Sequence, residues 1–343
     1  MTFRFRAGIL GIALLATGVV AGCDSASLSD PNDPNNPNSP AAALPGYPVR
    51  IDSLWGFADA EGRLRVAPQF DFADGFYEGL AAVQDALLWG YADSSGTVVI
   101  SYQFDIAGRF SNGLAPVRQG GLWGYVRQDG SMAVQPTYDS AREISDGFAA
   151  VRSEFTWGFI DANGAEVIPS QYAAVGDFSE GLAAVETPEG WRYIDTSGNI
   201  AIAGPFNNAG MFSEGLAPVL IGEAWGYIDT TGSIVLNPIY DAAGSFHEGA
   251  ARVRVEDFWG YITTSGDYVI IPKIEGASDF AEGRAPVRFN DHWTYVRRSD
   301  GIVIGSPQYD SAGPFRGGLA QVIVSEHVGY INRDGDYVWF PSE

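Results

Sequence analysis

Residue types that often carry chemistry are scarce in this chain of 343 residues. It has one cysteine, Cys23, one lysine, Lys273, and three histidines, His247, His292 and His327. A lone cysteine excludes an intrachain disulfide and any multi-cysteine metal site. The histidines form no HExxH arrangement, and no Gly-x-x-x-x-Gly-Lys-Ser/Thr segment occurs. We therefore predict no catalytic residue, no metal and no cofactor, and we expect that the chain is not an enzyme.

Positive charge is also scarce. The chain has 20 Lys and Arg residues against 42 Asp and Glu residues, which gives a net charge of −22. Nucleic-acid binding depends on basic side chains that neutralise phosphates, so this balance excludes nucleic acid as a partner. Aromatic residues make up 13% of the chain, and the 43 glycines and 19 prolines are typical of many turns between short strands.

The first residues have the pattern of a bacterial lipoprotein signal. Arg4 and Arg6 precede an apolar stretch at 7–19, which is too short to span a bilayer comfortably. The next four residues, Val-Ala-Gly-Cys, resemble a lipobox that ends at Cys23. We predict a signal peptide at 1–22 and a lipid on Cys23 that anchors the chain in a membrane of the bacterial cell envelope. The alternative is a buried structural thiol after a short anchor helix.

The next segment is rich in proline and asparagine. At this density neither residue supports a packed core, and both favour extended, solvated backbone. We expect residues 23–46 to be a disordered tether and residues 47–343 to be the folded part. The sequence leaves open which membrane leaflet holds the anchor, and whether the protein faces the periplasm or the cell surface.

Tryptophan recurs through the folded part at a constant interval of 34 residues. This regularity indicates tandem structural repeats. A ninth copy is displaced by one residue and has Val328 where tryptophan is expected. The eight tryptophans are Trp55, Trp89, Trp123, Trp157, Trp191, Trp225, Trp259 and Trp293.

Each repeat has the pattern of a small antiparallel sheet. In the sixth repeat, Gly215–Val219, Trp225–Asp229 and Ile234–Leu236 are β-branched and aromatic stretches separated by turn residues. Gly232, seven residues after the tryptophan, suits a hairpin turn that needs a positive φ. Pro238 lacks a ladder donor, so we expect it to end the third strand. The sequence thus predicts nine three-stranded meanders, each followed by a connecting segment.

This pattern resembles the WG-repeat family, a tandem β-repeat found mainly in bacterial proteins. The resemblance rests on Trp-Gly-Tyr/Phe-x-Asp-x-x-Gly and Phe-x-Glu-Gly-Leu-Ala-x-Val blocks that alternate in register. The departures are Arg192 and Thr294 in place of glycine, and Val328 in place of tryptophan. The family implies an all-β repeat scaffold and no conserved chemistry.

Two arrangements of the repeats compete. A β-propeller usually fastens its ring with a blade split between the two ends of the chain. Here the first repeat begins with its own first strand and the last ends with its third, so the ends are not permuted. With three strands in each of nine repeats, we expect an open stacked or superhelical array. A closed β-propeller is the alternative.

The repeated side chains allow structural and functional interpretations. We interpret the tryptophans as structural core residues between repeats; the alternative is an exposed row that stacks on sugars or peptide side chains. We interpret the recurring acids as turn caps, although calcium bridging is a further option. The recurring acids after tryptophan are Asp59, Asp93, Asp161, Asp195 and Asp229, and those before glycine are Glu78, Glu180, Glu214, Glu248 and Glu282.

These observations predict a lipid-anchored envelope protein whose non-catalytic repeat scaffold binds a protein or a glycan. The alternative is an envelope polysaccharide hydrolase that uses a carboxylate pair in one atypical repeat. Neither the ligand nor the oligomeric state follows from the sequence.

Overall fold

The computed structural model describes residues 46–340. The predicted signal peptide, Cys23 and all of the predicted tether except Gly46 lie outside the described residues. Within 46–340 every regular element is a strand, and no helix is long and apolar enough to cross a bilayer.

The strands form nine antiparallel sheets, which are called blades 1–9 in chain order. Blades 1–3 contain β1 (Tyr47–Ile51), β2 (Leu54–Ala58), β3 (Leu64–Phe70); β4 (Phe72–Tyr77), β5 (Leu80–Asp85), β6 (Leu88–Ala92), β7 (Val98–Phe104); β8 (Ile106–Ala107), β9 (Leu114–Gln119), β10 (Leu122–Arg127), β11 (Met132–Tyr138). Blades 4–6 contain β12 (Ser140–Ala141), β13 (Phe148–Ser153), β14 (Thr156–Asp161), β15 (Glu166–Tyr172); β16 (Leu182–Thr187), β17 (Gly190–Asp195), β18 (Ile200–Phe206); β19 (Asn208–Ala209), β20 (Leu216–Ile221), β21 (Ala224–Asp229), β22 (Ile234–Tyr240). Blades 7–9 contain β23 (Ala242–Ala243), β24 (Ala251–Val255), β25 (Phe258–Ile262), β26 (Tyr268–Ile274); β27 (Gly276–Ala277), β28 (Arg284–Phe289), β29 (His292–Arg297), β30 (Val303–Tyr309); β31 (Ser311–Arg316), β32 (Leu319–Val324), β33 (His327–Asn332), β34 (Tyr337–Trp339).

Each blade is built around the predicted meander, with one strand more than expected in most blades. The segment that the sequence suggested was a connector forms a short first strand, for example β19, which pairs with β20. Seven of the nine sheets therefore have four strands, while those of blades 1 and 5 have three. This strand escaped notice because it is only two residues long in several blades.

The glycine after tryptophan fits a bulge between the third and outer strands. In blade 6 the pairing shifts between Trp225 and Tyr227, so the outer strand bows toward Gly226. A Cβ at Gly226 would lie 2.6 Å from the carbonyl oxygen of Leu236, closer than packed atoms approach. Pro238 lies inside β22, beside this bulge, and does not end the strand as expected.

In two blades a larger residue, Arg192 or Thr294, replaces this glycine, and the outer strand accommodates it. Thr294 is fully buried, and its hydroxyl donates a hydrogen bond to the carbonyl of Ile304 at 2.8 Å. Next to Ile304, Gly305 has a φ of +72°. Opposite Arg192, Gly204 likewise has a positive φ, +55°. In both blades a glycine in the left-handed region lets the outer strand make room for a larger side chain.

The blades are arranged in a ring, as a nine-bladed β-propeller, so the expected open array is wrong. Nine hydrophobic clusters fill nine contacts between consecutive blades, whereas nine units in an open row have only eight contacts. The ninth cluster joins the two ends of the chain: Tyr47, Val49 and Ala58 of blade 1 pack against Leu319 and Tyr330 of blade 9.

Polar contacts also close the seam between blades 9 and 1. The hydroxyl of Tyr330 donates to the carbonyl of Pro48 at 2.9 Å, and that of Tyr47 donates to the carbonyl of Gly317 at 2.6 Å. The expectation of an open array assumed that a ring needs a blade shared between the chain ends. This ring closes instead through side-chain packing and side-chain hydrogen bonds between two separate blades.

The first strand of each four-stranded sheet is called the inner strand, and the residues that follow it are hydrogen-bonded to the adjacent blade. Ser111 of blade 3, for instance, donates from its hydroxyl to the carbonyl of Ile144 in blade 4 at 2.8 Å. The third strands supply a buried tyrosine in most blades, whose hydroxyl reaches the next blade. These bonds run from Tyr91 to Gly108, Tyr125 to Arg142, Tyr193 to Gly210, Tyr227 to Gly244, Tyr261 to Ser278 and Tyr295 to Gly313.

Candidate functional site

The predicted core tryptophans are only partly buried. All eight have intermediate exposure, and Trp225 packs at the edge of the cluster between blades 6 and 7. The fully buried aromatic residue of each motif lies two positions later, as Tyr227 does in the same blade. Sequence reasoning passed over this position because either tyrosine or phenylalanine occupies it, whereas the tryptophan is the same in eight repeats.

The aspartates that follow tryptophan cap their own turns. The carboxylate of Asp161 accepts hydrogen bonds from the backbone N–H groups of Asn163, at 2.8 Å, and Ala165, at 2.9 Å. The bond from Ala165 is the main cause that lowers the pKa of Asp161 below the ordinary value of 3.8. Asn332 makes the same two backbone contacts in blade 9 with a neutral amide. The carboxylates at this position are therefore engaged with backbone.

The glutamates that precede glycine have a different role from the turn capping that was expected. The carboxylate of Glu214 accepts the backbone N–H of Gly249 in the next blade at 2.9 Å, so it joins the turns that follow the inner strands of blades 6 and 7. Glu214 itself has a φ of +54°. The same bridge recurs from Glu78 to Gly113, Asp146 to Gly181, Glu180 to Gly215, Glu248 to Gly283 and Glu282 to Gly317.

The three histidines are on three different blades. His247 lies 3.7 Å from Asp279, His292 contacts the carbonyl of Asn290, and His327 begins β33. Among residues 46–340 no group of three or more His, Cys, Asp and Glu side chains converges in a geometry that would hold a metal ion.

The most distinctive surface of the ring lies where the strand that carries the tryptophan position joins the strand before it in each blade. Each of these joints is a two-residue hairpin loop, and all of them point to one face of the ring. The second loop residue is acidic in five consecutive blades, namely Glu189, Glu223, Asp257, Asp291 and Glu326. In blades 2 and 4 it is instead Leu87, which is 81% exposed, and Phe155, which is 89% exposed.

Further exposed apolar side chains continue this feature across blades 2–4. Phe72 starts the inner strand of blade 2 and lies between two tryptophans, 5.1 Å from Trp55 and 5.5 Å from Trp89 between ring centroids. Other blades have smaller or aliphatic side chains at the position of Phe72. The surface, which we call the apolar arc, consists of Phe72, Leu87, Leu88, Ile106, Leu122 and Phe155.

Aspartates that directly precede the inner strands hold the hairpin loops of the apolar arc in place. The carboxylate of Asp71 accepts the backbone N–H of Ala86 at 2.9 Å, and that of Asp139 accepts the backbone N–H of Glu154 at 2.6 Å. Leu87 has a φ of +74°, as a tight hairpin requires. Leu87 and Phe155 are thus presented to solvent on fixed loops.

Comparison with known proteins supports the repeat assignment and the fold. The family described as WG containing repeat matches residues 55–85, 89–123, 123–154, 157–187, 191–223, 225–257, 259–293 and 293–324. No curated protein matches the chain. Among solved structures, the chain is similar to a crystal structure of a eukaryotic initiation factor, with a TM-score of 0.61, 13% identity, and coverage of 84% of this chain and 93% of that chain.

A second similar structure is dihydro-heme d1 dehydrogenase NirN in complex with DHE. Its TM-score is 0.50 at 11% identity, with coverage of 76% of this chain and 72% of that chain. At these identities the two structures are alike in fold alone. The family matches extend over most of the chain and coincide with the repeats seen in the ring. The chain belongs to the WG containing repeat family.

Proposed function

We propose that this chain is a lipid-anchored protein of the bacterial cell envelope whose propeller is a non-catalytic scaffold for binding another protein. The observation that carries the proposal is the apolar arc. Exposed apolar side chains that cluster on one part of a protein surface commonly mark a site of protein interaction. Aromatic side chains that stand in fixed positions are the residue types that contribute most to binding energy at interfaces.

The chemistry of the arc favours a protein over a glycan. Four of its six side chains are aliphatic, and aliphatic groups offer no hydrogen bonds to sugar hydroxyls. The neighbouring loops carry carboxylates such as Glu189 and Glu223. The complementary partner therefore has an apolar patch bordered by basic residues.

Support for a non-catalytic role comes from the contacts of the repeated carboxylates. The aspartates after tryptophan bind backbone of their own turns, and the glutamates before glycine bind the neighbouring blade. These bonds explain why the acids recur in so many blades. A catalytic pair needs two carboxylates that differ in their surroundings.

Photo-crosslinking in cells tests the binding proposal. A benzophenone amino acid is placed at Phe155, and in a matched variant at Asp257, the equivalent loop residue on the acidic side of the ring. We expect a discrete adduct with one protein from position 155 that is absent from position 257 and is lost when Leu87→Asp is added. Equal labelling at both positions, or adducts unaffected by Leu87→Asp, would reject the arc as the binding surface.

The anchor is tested separately at Cys23. The lipobox pattern predicts that Cys23→Ser abolishes lipid attachment, so that the protein moves from the membrane fraction to the soluble fraction. Mass spectrometry of the mature wild-type chain should show a lipid addition on an N-terminal Cys23. Unmodified protein that begins at Met1 and remains with the membrane would disprove the anchor.

A further inference from the structure

The seam where blade 1 lies between blades 9 and 2 contains a cavity. Within residues 46–340, blade 1 contributes no inner strand, because the described part of its sheet begins at β1. The space next to the inner strands of blades 9 and 2 is a cavity of ≈ 290 Å³, near the lower end of the volumes of small-ligand sites. Its walls include Tyr47, Asp74, Tyr77, Arg109 and Arg316.

Arg316 reaches from blade 9 past blade 1 to the inner strand of blade 2. In blades 3, 4 and 6 a serine at this position donates to a backbone carbonyl of the next blade, as Ser111 does to Ile144. Arg316 makes the corresponding bond over a longer distance, from Nη2 to the carbonyl of Phe76 at 2.6 Å. Its guanidinium carbon lies 3.8 Å from the centroid of the Tyr77 ring. This bond and this ring hold the guanidinium in one orientation at the cavity.

The charges of the two arginines in the cavity are not equivalent. Arg109 also packs on the Tyr77 ring, but its Nε lies 2.8 Å from Asp74, so its charge is neutralised. No carboxylate of residues 46–340 lies within ion-pair distance of Arg316. A half-buried cation without a counter-charge is unusual in a chain that has a net charge of −22.

We propose that the seam cavity binds a small monocarboxylate, which pairs with Arg316. The planar guanidinium matches a carboxylate in a two-point hydrogen-bonded pair. Phe76, Pro314 and Leu319 supply apolar walls for the body of the ligand. A phosphate also pairs with arginine, but it carries about twice the charge, so repulsion from Asp74 weighs more heavily against it.

The cavity is distinct from the apolar arc. β4 runs from Phe72, which belongs to the apolar arc, to Tyr77 at its other end. The later residues of this strand, from Asp74 to Tyr77, line the cavity. The two proposals can therefore fail independently.

Fluorine NMR of the full chain tests the proposal with 4-fluorobenzoate as the probe and 4-fluorobenzamide as its uncharged match. We expect the wild-type protein to broaden the benzoate signal and to leave the benzamide signal unchanged. Arg316→Gln should weaken benzoate binding at least about tenfold, as the loss of a charged hydrogen-bonded pair implies. The control Arg297→Gln removes an arginine paired with Asp300 on blade 8 and should bind as the wild type does.

A second variant separates loss of the site from loss of the fold. Asp74→Asn removes a negative charge from the cavity, so it should tighten benzoate binding, a gain that misfolding does not produce. Inorganic phosphate should compete only weakly. Equal binding of benzoate and benzamide, unchanged binding by Arg316→Gln in a folded protein, or weaker binding by Asp74→Asn would each overturn the proposal.

Discussion

At the scale of single residues, the side chains that join the blades are tyrosines more than tryptophans. Tyr227 is fully buried, and its hydroxyl donates to the carbonyl of Gly244 at 2.8 Å. Burial strongly raises the pKa of this hydroxyl, which keeps it protonated as a donor. Trp225, by contrast, keeps part of its indole exposed.

Tyr227→Phe removes this donor and leaves a buried carbonyl without its partner. We expect a loss of about 1–2 kcal/mol in the free energy of unfolding, as for other unsatisfied buried groups. Urea denaturation of the variant beside Tyr268→Phe measures the effect. Tyr268 is 45% exposed on an outer strand, so its substitution should change little. A smaller loss at Tyr227 than at Tyr268 would contradict the assignment.

The turn aspartates predict a dependence of stability on pH. Hydrogen bonds from backbone N–H groups lower the pKa of Asp161 in the folded state. The ionised carboxylate therefore adds stability above the unfolded pKa of 3.8, and this stability is lost as the pH falls through the lower folded pKa. Asp161→Asn keeps the turn contacts, as Asn332 does, without the titration.

We expect the wild type to be more stable than Asp161→Asn at neutral pH and to lose this advantage in acid, as the pH falls through the lowered folded pKa. Thermal melts of both proteins at neutral and at acidic pH give the comparison. An advantage that is unchanged or larger in acid would show that the charge of Asp161 does not strengthen its turn.

At the scale of the strands, the sequence predicted what is local and repeated. The 34-residue period, the antiparallel meander and the positive φ of Gly232 (+86°) are present in the structure. The inner strand was missed because Ala242–Ala243 and its counterparts are too short to show alternation. Its pairing depends on the adjacent strand and on contacts with the next blade, which a single repeat does not reveal.

The bulge beside tryptophan makes a prediction about glycine. Gly226→Ala places a Cβ 2.6 Å from the carbonyl oxygen of Leu236, and the outer strand must shift to relieve the contact. We expect a loss of about 2 kcal/mol, in the range for overpacked sites. Gly176→Ala is the control, because its Cβ meets no atom closer than 3.6 Å. Chemical denaturation of both variants should show a clear loss only for Gly226→Ala; equal losses would argue against the close approach.

At the scale of the whole molecule, closure of the ring depends on contacts between residues far apart in the chain. One signal was nevertheless present in the sequence. Open repeat arrays end in repeats with a polar outer face, whereas Val49 in the first repeat and Tyr330 in the last keep the apolar and aromatic character of the interior repeats. In the structure these residues meet in the ninth cluster. The seam cavity was not predictable, because its walls come from residues near both ends of the described chain, which meet only when the ring closes.

The separation of the first and last blades tests the closed ring most directly. Spin labels are attached to cysteines at Ser53 and Glu326, the hairpin-loop tips of blades 1 and 9, in a full chain that carries Cys23→Ser. A second protein labelled at Glu189 and Glu223, the same loop positions of adjacent blades 5 and 6, provides the reference distance. Pulsed electron paramagnetic resonance should give the same distance for both pairs, since both join neighbouring blades of the ring. A distance between 53 and 326 that is several times the reference would show that the repeats form an open array.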